Sequence, residues 1–175
     1  FLDKIVNPKG IFALILFPLS LILEGVLNNR IKQTLVFWKA KDPLPGCRAF
    51  SEIAKEDPRV DLQNLKQLFD NRLPENPKEQ NKVWYRLYLK YKDNVIIGEV
   101  QRNYLITRDF TVFTAILIPL TLASHIIITT DLKRILMHLT FLLILFFVLS
   151  ISSRNYGKRF VADVIVKASH EKEEE

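Results

Sequence analysis

The sequence predicts an all-α protein: two to three transmembrane helices, with a small helical cytoplasmic domain inserted between the first and second. Three observations carry this prediction. Residues 110–153 hold two runs without Asp, Glu, Lys or Arg, FTVFTAILIPLTLASHIIITT and ILMHLTFLLILFFVLSISS, separated by Asp131-Leu132-Lys133-Arg134. Each run is about 20 residues, which at about 1.5 Å per residue matches the roughly 30 Å hydrocarbon core of a bilayer. Residues 11–27, IFALILFPLSLILEGVL, form a third apolar run. The block 43–109 is instead dense in charge, with helix start signals and helical spacing and no long alternating strand.

Bulk composition agrees with a chain divided into blocks. Of 175 residues, 49% are hydrophobic, yet mean hydropathy is close to zero because apolar and charged stretches cancel. A net charge of +6 favours anionic neighbours such as phospholipid headgroups, nucleotides or nucleic acid. Basic loops on the inner side of a membrane protein produce the same bias. The single cysteine, Cys47, excludes an internal disulfide and a Cys-rich zinc site and fits a reducing compartment. The sequence opens on Phe1, so we expect at least an initiator residue before it.

Taken in order, Asn7-Pro8 is a helix start, Asn as N-cap and Pro in the first turn. Residues 11–27 then read as a first membrane helix kinked at Pro18, with a re-entrant or interfacial segment as the alternative. The run lacks the small-residue cleavage pattern of a signal peptide. Ile31, Leu35 and Trp38 at helical spacing among Arg30, Lys32, Lys39 and Lys41 extend it as an amphipathic stalk to about Lys41. Asp42-Pro43-Leu44-Pro45-Gly46 stops that stalk. A short helix over Ala49–Lys55 follows, then one capped by Asp61 through LQNLKQLF. Asn76-Pro77-Lys78-Glu79 starts a longer helix to about Lys92, with Val83, Trp84, Leu87, Tyr88 and Tyr91 on its apolar side. Past Asp93-Asn94, a helix from Val95 leads through Arg108-Asp109 into the second span. Beyond the hairpin, Arg154, Lys158 and Arg159 form a basic stop, and FVADVIV is a strand or a final helical turn. The end, His170–Glu175, has the composition of a disordered tail.

The chain therefore divides into residues 1–41, membrane helix and stalk; 42–109, basic helical domain; 110–153, transmembrane hairpin; and 154–175, basic stop and charged tail. Arg30, Lys32, Arg102, Arg108, Arg154, Lys158 and Arg159 flank one side of the spans, and Lys4, Lys9, Lys133 and Arg134 the other. The positive-inside rule puts the middle domain and the C-terminus in the cytoplasm.

Enzyme motifs are missing: no phosphate-loop, dinucleotide, metalloprotease or nucleophile-elbow pattern occurs, and His125, His138 and His170 are too scattered for a metal site. Cys47 stands beside Arg48, which would lower its pKa, but no candidate base is near it in sequence. We expect no catalysis, no cofactor and no metal.

Two constellations remain. Lys78, Lys82, Arg86 and Lys90 recur every four residues as a stripe along one helix, with Trp84, Tyr85, Tyr88 and Tyr91 interleaved. Cations beside aromatic rings suit the phosphates and base of a nucleotide or nucleic acid. A solvated outer face over a small aromatic core, or a headgroup-binding face, uses the same residues. In the spans, Thr114, Thr121, Ser124 and His125 give the second helix a hydroxyl-bearing surface suited to line a path between copies. The third helix is nearly pure Leu, Ile and Phe and suits lipid. Glu24, His125 and His138 are the ionisable groups of the spans, the two histidines at similar depth across the hairpin or both interfacial.

The stretch Pro43-Leu44-Pro45-Gly46-Cys47-Arg48-Ala49-Phe50-Ser51, with Glu56-Asp57-Pro58-Arg59 and Gln80-Asn81-Lys82-Val83-Trp84-Tyr85-Arg86-Leu87-Tyr88, resembles a group of small bacterial membrane proteins. In layout the chain is similar to membrane effectors of nucleotidyltransferase-linked anti-phage defence systems. That resemblance implies an oligomeric bacterial inner (plasma) membrane protein that forms a pore or channel. A nucleotide or nucleic acid bound to its basic domain would control it. The alternative is a non-conducting scaffold that docks a cytoplasmic protein partner. Small-solute transport fits less well, since the chain shows no inverted repeat.

Overall fold

The computed structural model describes residues 18, 22, 25–128 and 131–171. The expected first membrane helix over 11–27, with Glu24, lies largely outside these residues, as does the end of the tail, 172–175. Among the described residues the regular secondary structure is all helical, without strands.

Helix α1 (Asn29–Phe37) begins at Asn28, whose side chain accepts from the Ile31 amide at 2.9 Å. Asn28 is extended, so α1 is a fresh start after a bend at Leu27 rather than an unbroken stalk. The expected run to Lys41 also stops short. Trp38 turns left-handed at φ 53°, and its N–H closes the helix on the Thr34 carbonyl at 2.8 Å.

The short helix expected over 49–55 is a composite instead. A 3-10 turn (Pro45–Arg48) widens into a π turn (Ala49–Ile53) and closes as one α turn (Ala54–Glu56). Gln80 caps the start of the π turn: Oε1 accepts from the Phe50 and Ser51 amides at 3.0 and 3.1 Å, first-turn donors without partners in their own segment. Helix α2 (Leu62–Gln67) is capped by Asp61 at the Gln63 and Asn64 amides. It ends where Asp70 and Asn71 both take positive φ, two residues short of the expected end.

Helix α3 (Pro77–Tyr91) starts on Asn76, as its sequence predicts, with the Lys78 amide donating to Asn76 Oδ1 at 3.0 Å. Asn94 receives the Ile96 and Ile97 amides and opens α4 (Val95–Ile128). Asp131 caps α5 (Leu132–Ser169) at the Lys133 and Arg134 amides.

Helices α4 and α5 are 34 and 38 residues long, or about 50 and 57 Å at the α-helical rise. A bilayer core of about 30 Å takes up only part of each. At the hairpin end, just 6% of the most apolar stretch of α5 is buried within the chain. Leu136, Met137, Phe141, Ile144, Phe147 and Val148 stand exposed there. An exposed apolar surface that long is stable in lipid and not in water. Both helices are therefore long and apolar enough to cross a membrane.

The other end of the same two helices is the core of the domain. Residues 160–166, read above as a strand or a last turn, lie inside α5, and Val161, Val164 and Ile165 are completely buried. Around them pack Trp84 and Tyr91 of α3, Phe50 and Ile53 of the π turn, Leu65 of α2, and Val36 and Phe37 of α1. Ile97, Val100 and Tyr104 close the cluster from α4. Residues 154–169 are thus part of α5, and 160–168 form the central post of the domain.

Candidate ligand-binding site

On α3 the four cations Lys78, Lys82, Arg86 and Lys90 are exposed. The aromatic residues divide by face. Trp84 is 8% exposed, wedged edge-on against Phe160 at 5.2 Å and stacked on Tyr88 at 5.9 Å. It is a core residue, and its ring faces are not open to a base. Tyr85, half exposed, is the ring that stays beside the stripe. Lys90 is tied to Glu171, which also accepts from the Tyr91 hydroxyl at 2.6 Å. The Lys90 hydrogen bond, with help from Tyr91, holds the Glu171 carboxyl below its usual range. Burial, with Glu171 second, pushes the Tyr91 phenol up to about 12. The open part of the stripe is therefore Lys78, Lys82, Arg86 and Tyr85.

Cys47 is buried and behaves as a packing residue. Burial, then Asp42, pushes its thiol up, and Arg48 only partly opposes them. A thiol raised in this way is a poor nucleophile.

Gln80 escaped the sequence reading. It is 1% exposed and satisfies four groups: the Phe50 and Ser51 amides, the Ser51 hydroxyl and, through Nε2, the Glu75 carbonyl at 2.8 Å. A signal was available, since a glutamine one turn before Trp84 on an apolar face needs buried partners. Next to it, Gly46 lies so close to α3 that a Cβ would sit 2.4 Å from Asn81 Oδ1 and 2.9 Å from Trp84 Cε3. Two of the three sequence segments that carried the resemblance, 43–51 and 80–88, are thus the two sides of one packed seam.

A second network anchors the far side of the domain. Arg59 reaches Asp57 at 2.7 Å and the buried Asp163 at 2.8 Å, with Arg159 3.5 Å from Asp163. The Arg59 hydrogen bond is the main reason the Asp57 carboxyl is held low.

The hydroxyl groups of the hairpin are used inside the chain. Thr114 and Ser124 are buried, and their hydroxyls donate to the Phe110 and Thr121 carbonyls at 2.8 Å each. Thr111 is fully buried and does the same to Thr107 at 2.7 Å. Of the four expected lining residues only Thr121 and His125 are partly open, so Thr114 and Ser124 do not form an outward stripe. The two histidines do meet across the hairpin: His125 Nε2 lies 2.9 Å from His138 Nδ1, and His125 Nδ1 lies 2.8 Å from the Thr121 carbonyl. No group of three or more potential metal ligands exists among the described residues.

Comparison with protein families, with characterised proteins and with solved structures finds no match to this chain.

Proposed function

We propose that this chain is an inner-membrane effector: a basic cytoplasmic domain that binds an anionic ligand and controls an assembly of copies that opens a path across the bilayer. The setting is anti-phage defence. One observation carries the proposal. Helices α4 and α5 run without a break from the lipid-suited hairpin into the domain core. They act as levers, because close-packed cores shift as units and do not deform smoothly. A ligand that re-sets the domain therefore moves the hairpin. With Thr111, Thr114 and Ser124 satisfied inside the chain, this arrangement is a closed one. Conduction requires α4 and α5 to turn those hydroxyls toward a path between copies.

Orientation follows the charges. Arg30, Arg102, Arg108, Arg154, Lys158 and Arg159 flank the domain end of the spans, against Lys133 and Arg134 at the hairpin turn. The test is to express the protein and follow membrane potential with a dye, for the natural chain and for Lys82→Glu with Arg86→Glu. Depolarisation that changes with charge reversal supports the proposal; intact potential under every condition defeats it.

The second reading is a scaffold that docks a cytoplasmic protein. It draws on Tyr85 and Leu89, 50% and 46% exposed beside the stripe. Under it, the same charge reversal releases a partner from membranes whose potential never changes.

A further inference from the structure

A concave site of about 580 Å³ opens where the start of α1 meets the start of α3, within the roughly 300–1,000 Å³ range of small-molecule sites. Arg30, Lys41 and Lys78 line it against a single carboxylate, Asp42, so three positive charges face one negative. Gln33 and Asn81 add amide groups. The arrangement brings one member of the α3 stripe together with two cations that the sequence assigned to a stalk.

The Gln33 amide is held in place and the cations are exposed. Gln33 is 5% exposed, and its Oε1 accepts from the Tyr104 hydroxyl, which leaves the amide NH₂ as its donor end. Asn81 stands where the chain at Gly46 passes close to α3. Arg30, Lys41 and Lys78 are exposed side chains. Cations with amide donors are the chemistry of a phosphate group. A carboxylate among them accepts hydroxyls. Among the described residues no aromatic side chain lines the cavity, so it offers nothing for a base to stack on. In sequence, Arg30 follows closely on the apolar run that ends at Leu27.

We infer that this cavity binds a glycerophosphate group, either as a free phosphate ester or as the headgroup of an anionic lipid. The inference rests on the anionic-ligand part of the function proposed above and gives that ligand a class. Phosphate meets Arg30, Lys41 and Lys78, and the glycerol hydroxyls meet Asp42 and the Gln33 and Asn81 amides.

The test uses the full chain in nanodiscs of neutral phosphatidylcholine, titrated calorimetrically with sn-glycerol 3-phosphate. Arg30→Gln, Lys41→Gln and Lys78→Gln together should weaken binding by about tenfold or more. Lys66→Gln, Lys92→Gln and Arg102→Gln, equal in charge but elsewhere on the surface, should leave it unchanged. A second measurement needs no variant. Glycerol phosphate should raise the unfolding midpoint of the natural chain over the same concentration range, as a ligand of the folded state does. Nanodiscs containing phosphatidylglycerol separate the sources. Competition with the free ester there identifies a headgroup site, and unchanged affinity identifies a soluble ligand. Equal binding by the cavity variant, or an unfolding midpoint indifferent to the ester, overturns the inference. If depolarisation still responds to Lys82→Glu with Arg86→Glu, the proposed function survives that failure.

Discussion

Arg154 Nε donates a 2.6 Å hydrogen bond to the carbonyl of Val36 in the last turn of α1. The same carbonyl accepts from the Ser150 hydroxyl at 3.0 Å. A helix C-terminus has carbonyls without partners and a partial negative charge, and a guanidinium answers both. The Arg154 guanidinium also lies 3.5 Å over the ring of Trp38, the residue that ends α1. Trp38 in turn meets Phe147 edge-on at 5.6 Å. One arginine therefore joins the end of α1 to α5 at the level where its apolar stretch gives way to the domain.

Arg154→Lys keeps the charge but loses the planar fork and the stacked face. We expect Arg154→Lys to destabilise the domain by about 1 kcal/mol and Arg154→Ala by about 2–3 kcal/mol, the scale of a lost hydrogen bond to a charged group. Denaturant unfolding in micelles measures this. Tryptophan emission should change as Trp38 is released. Equal stability of natural chain and alanine variant would show that α1 is held by its apolar contacts alone.

Gln80 tests the seam between α3 and the π turn. Gln80→Leu retains bulk but leaves the Phe50 and Ser51 amides without the oxygen they now share. We expect a loss of about 2–3 kcal/mol, read by unfolding, together with faster hydrogen exchange at those two amides. A stability loss without the exchange effect would place the damage elsewhere.

How much of this could be read in advance depends on whether the determinant is local. The caps Asn76 and Asp61, and the two apolar runs, are local signals, and the helices they announce are present. Residues 160–166 read equally as strand or helical turn because all but Asp163 are apolar and nearly all are buried in α5, so no solvated polar face sets a helical period. The end of α1 depends on Arg154, more than a hundred residues away, and could not be read from its own sequence. The candidate site was half legible. The four-residue recurrence of Lys78, Lys82 and Arg86 correctly predicts one exposed face of a helix. The burial of Trp84 is decided by Phe160, and the meeting of Lys78 with Arg30 and Lys41 by the chain path around Gly46.

Acid should loosen the domain through two carboxylates. Asp57 is held low by the Arg59 hydrogen bond, and Glu171 by Lys90 and then Tyr91. Both titrate lower in the folded protein than in the unfolded chain, where a value of about 4 is ordinary. Their stabilisation is complete above that ordinary value and is lost as pH falls through the lower folded values. The melting midpoint should thus hold between about pH 7 and 5 and fall below about pH 4. Asp57→Asn with Glu171→Gln should lower the neutral midpoint and flatten the acid limb. An acid limb as steep in that variant as in the natural chain would rule out both carboxylates.

At the hairpin end, geometry fixes the direction of the histidine pair. The Thr121 carbonyl can only accept, so His125 Nδ1, 2.8 Å away, carries the proton. In the neutral ring Nε2 is then bare and accepts a hydrogen bond from His138 Nδ1–H, 2.9 Å away. The bond joins α4 to α5 close to their turn, where a mistake in register would misalign both spans. In a double-mutant cycle with His125→Phe and His138→Phe, each single change strands one ring, and the double change removes both needs at once. We expect a coupling of about 0.6–1.7 kcal/mol, the span measured for polar contacts between membrane helices, with the double variant less damaged than the sum of the singles. Unfolding in micelles gives all four values. Additive losses would mean that the rings lie side by side without sharing a proton.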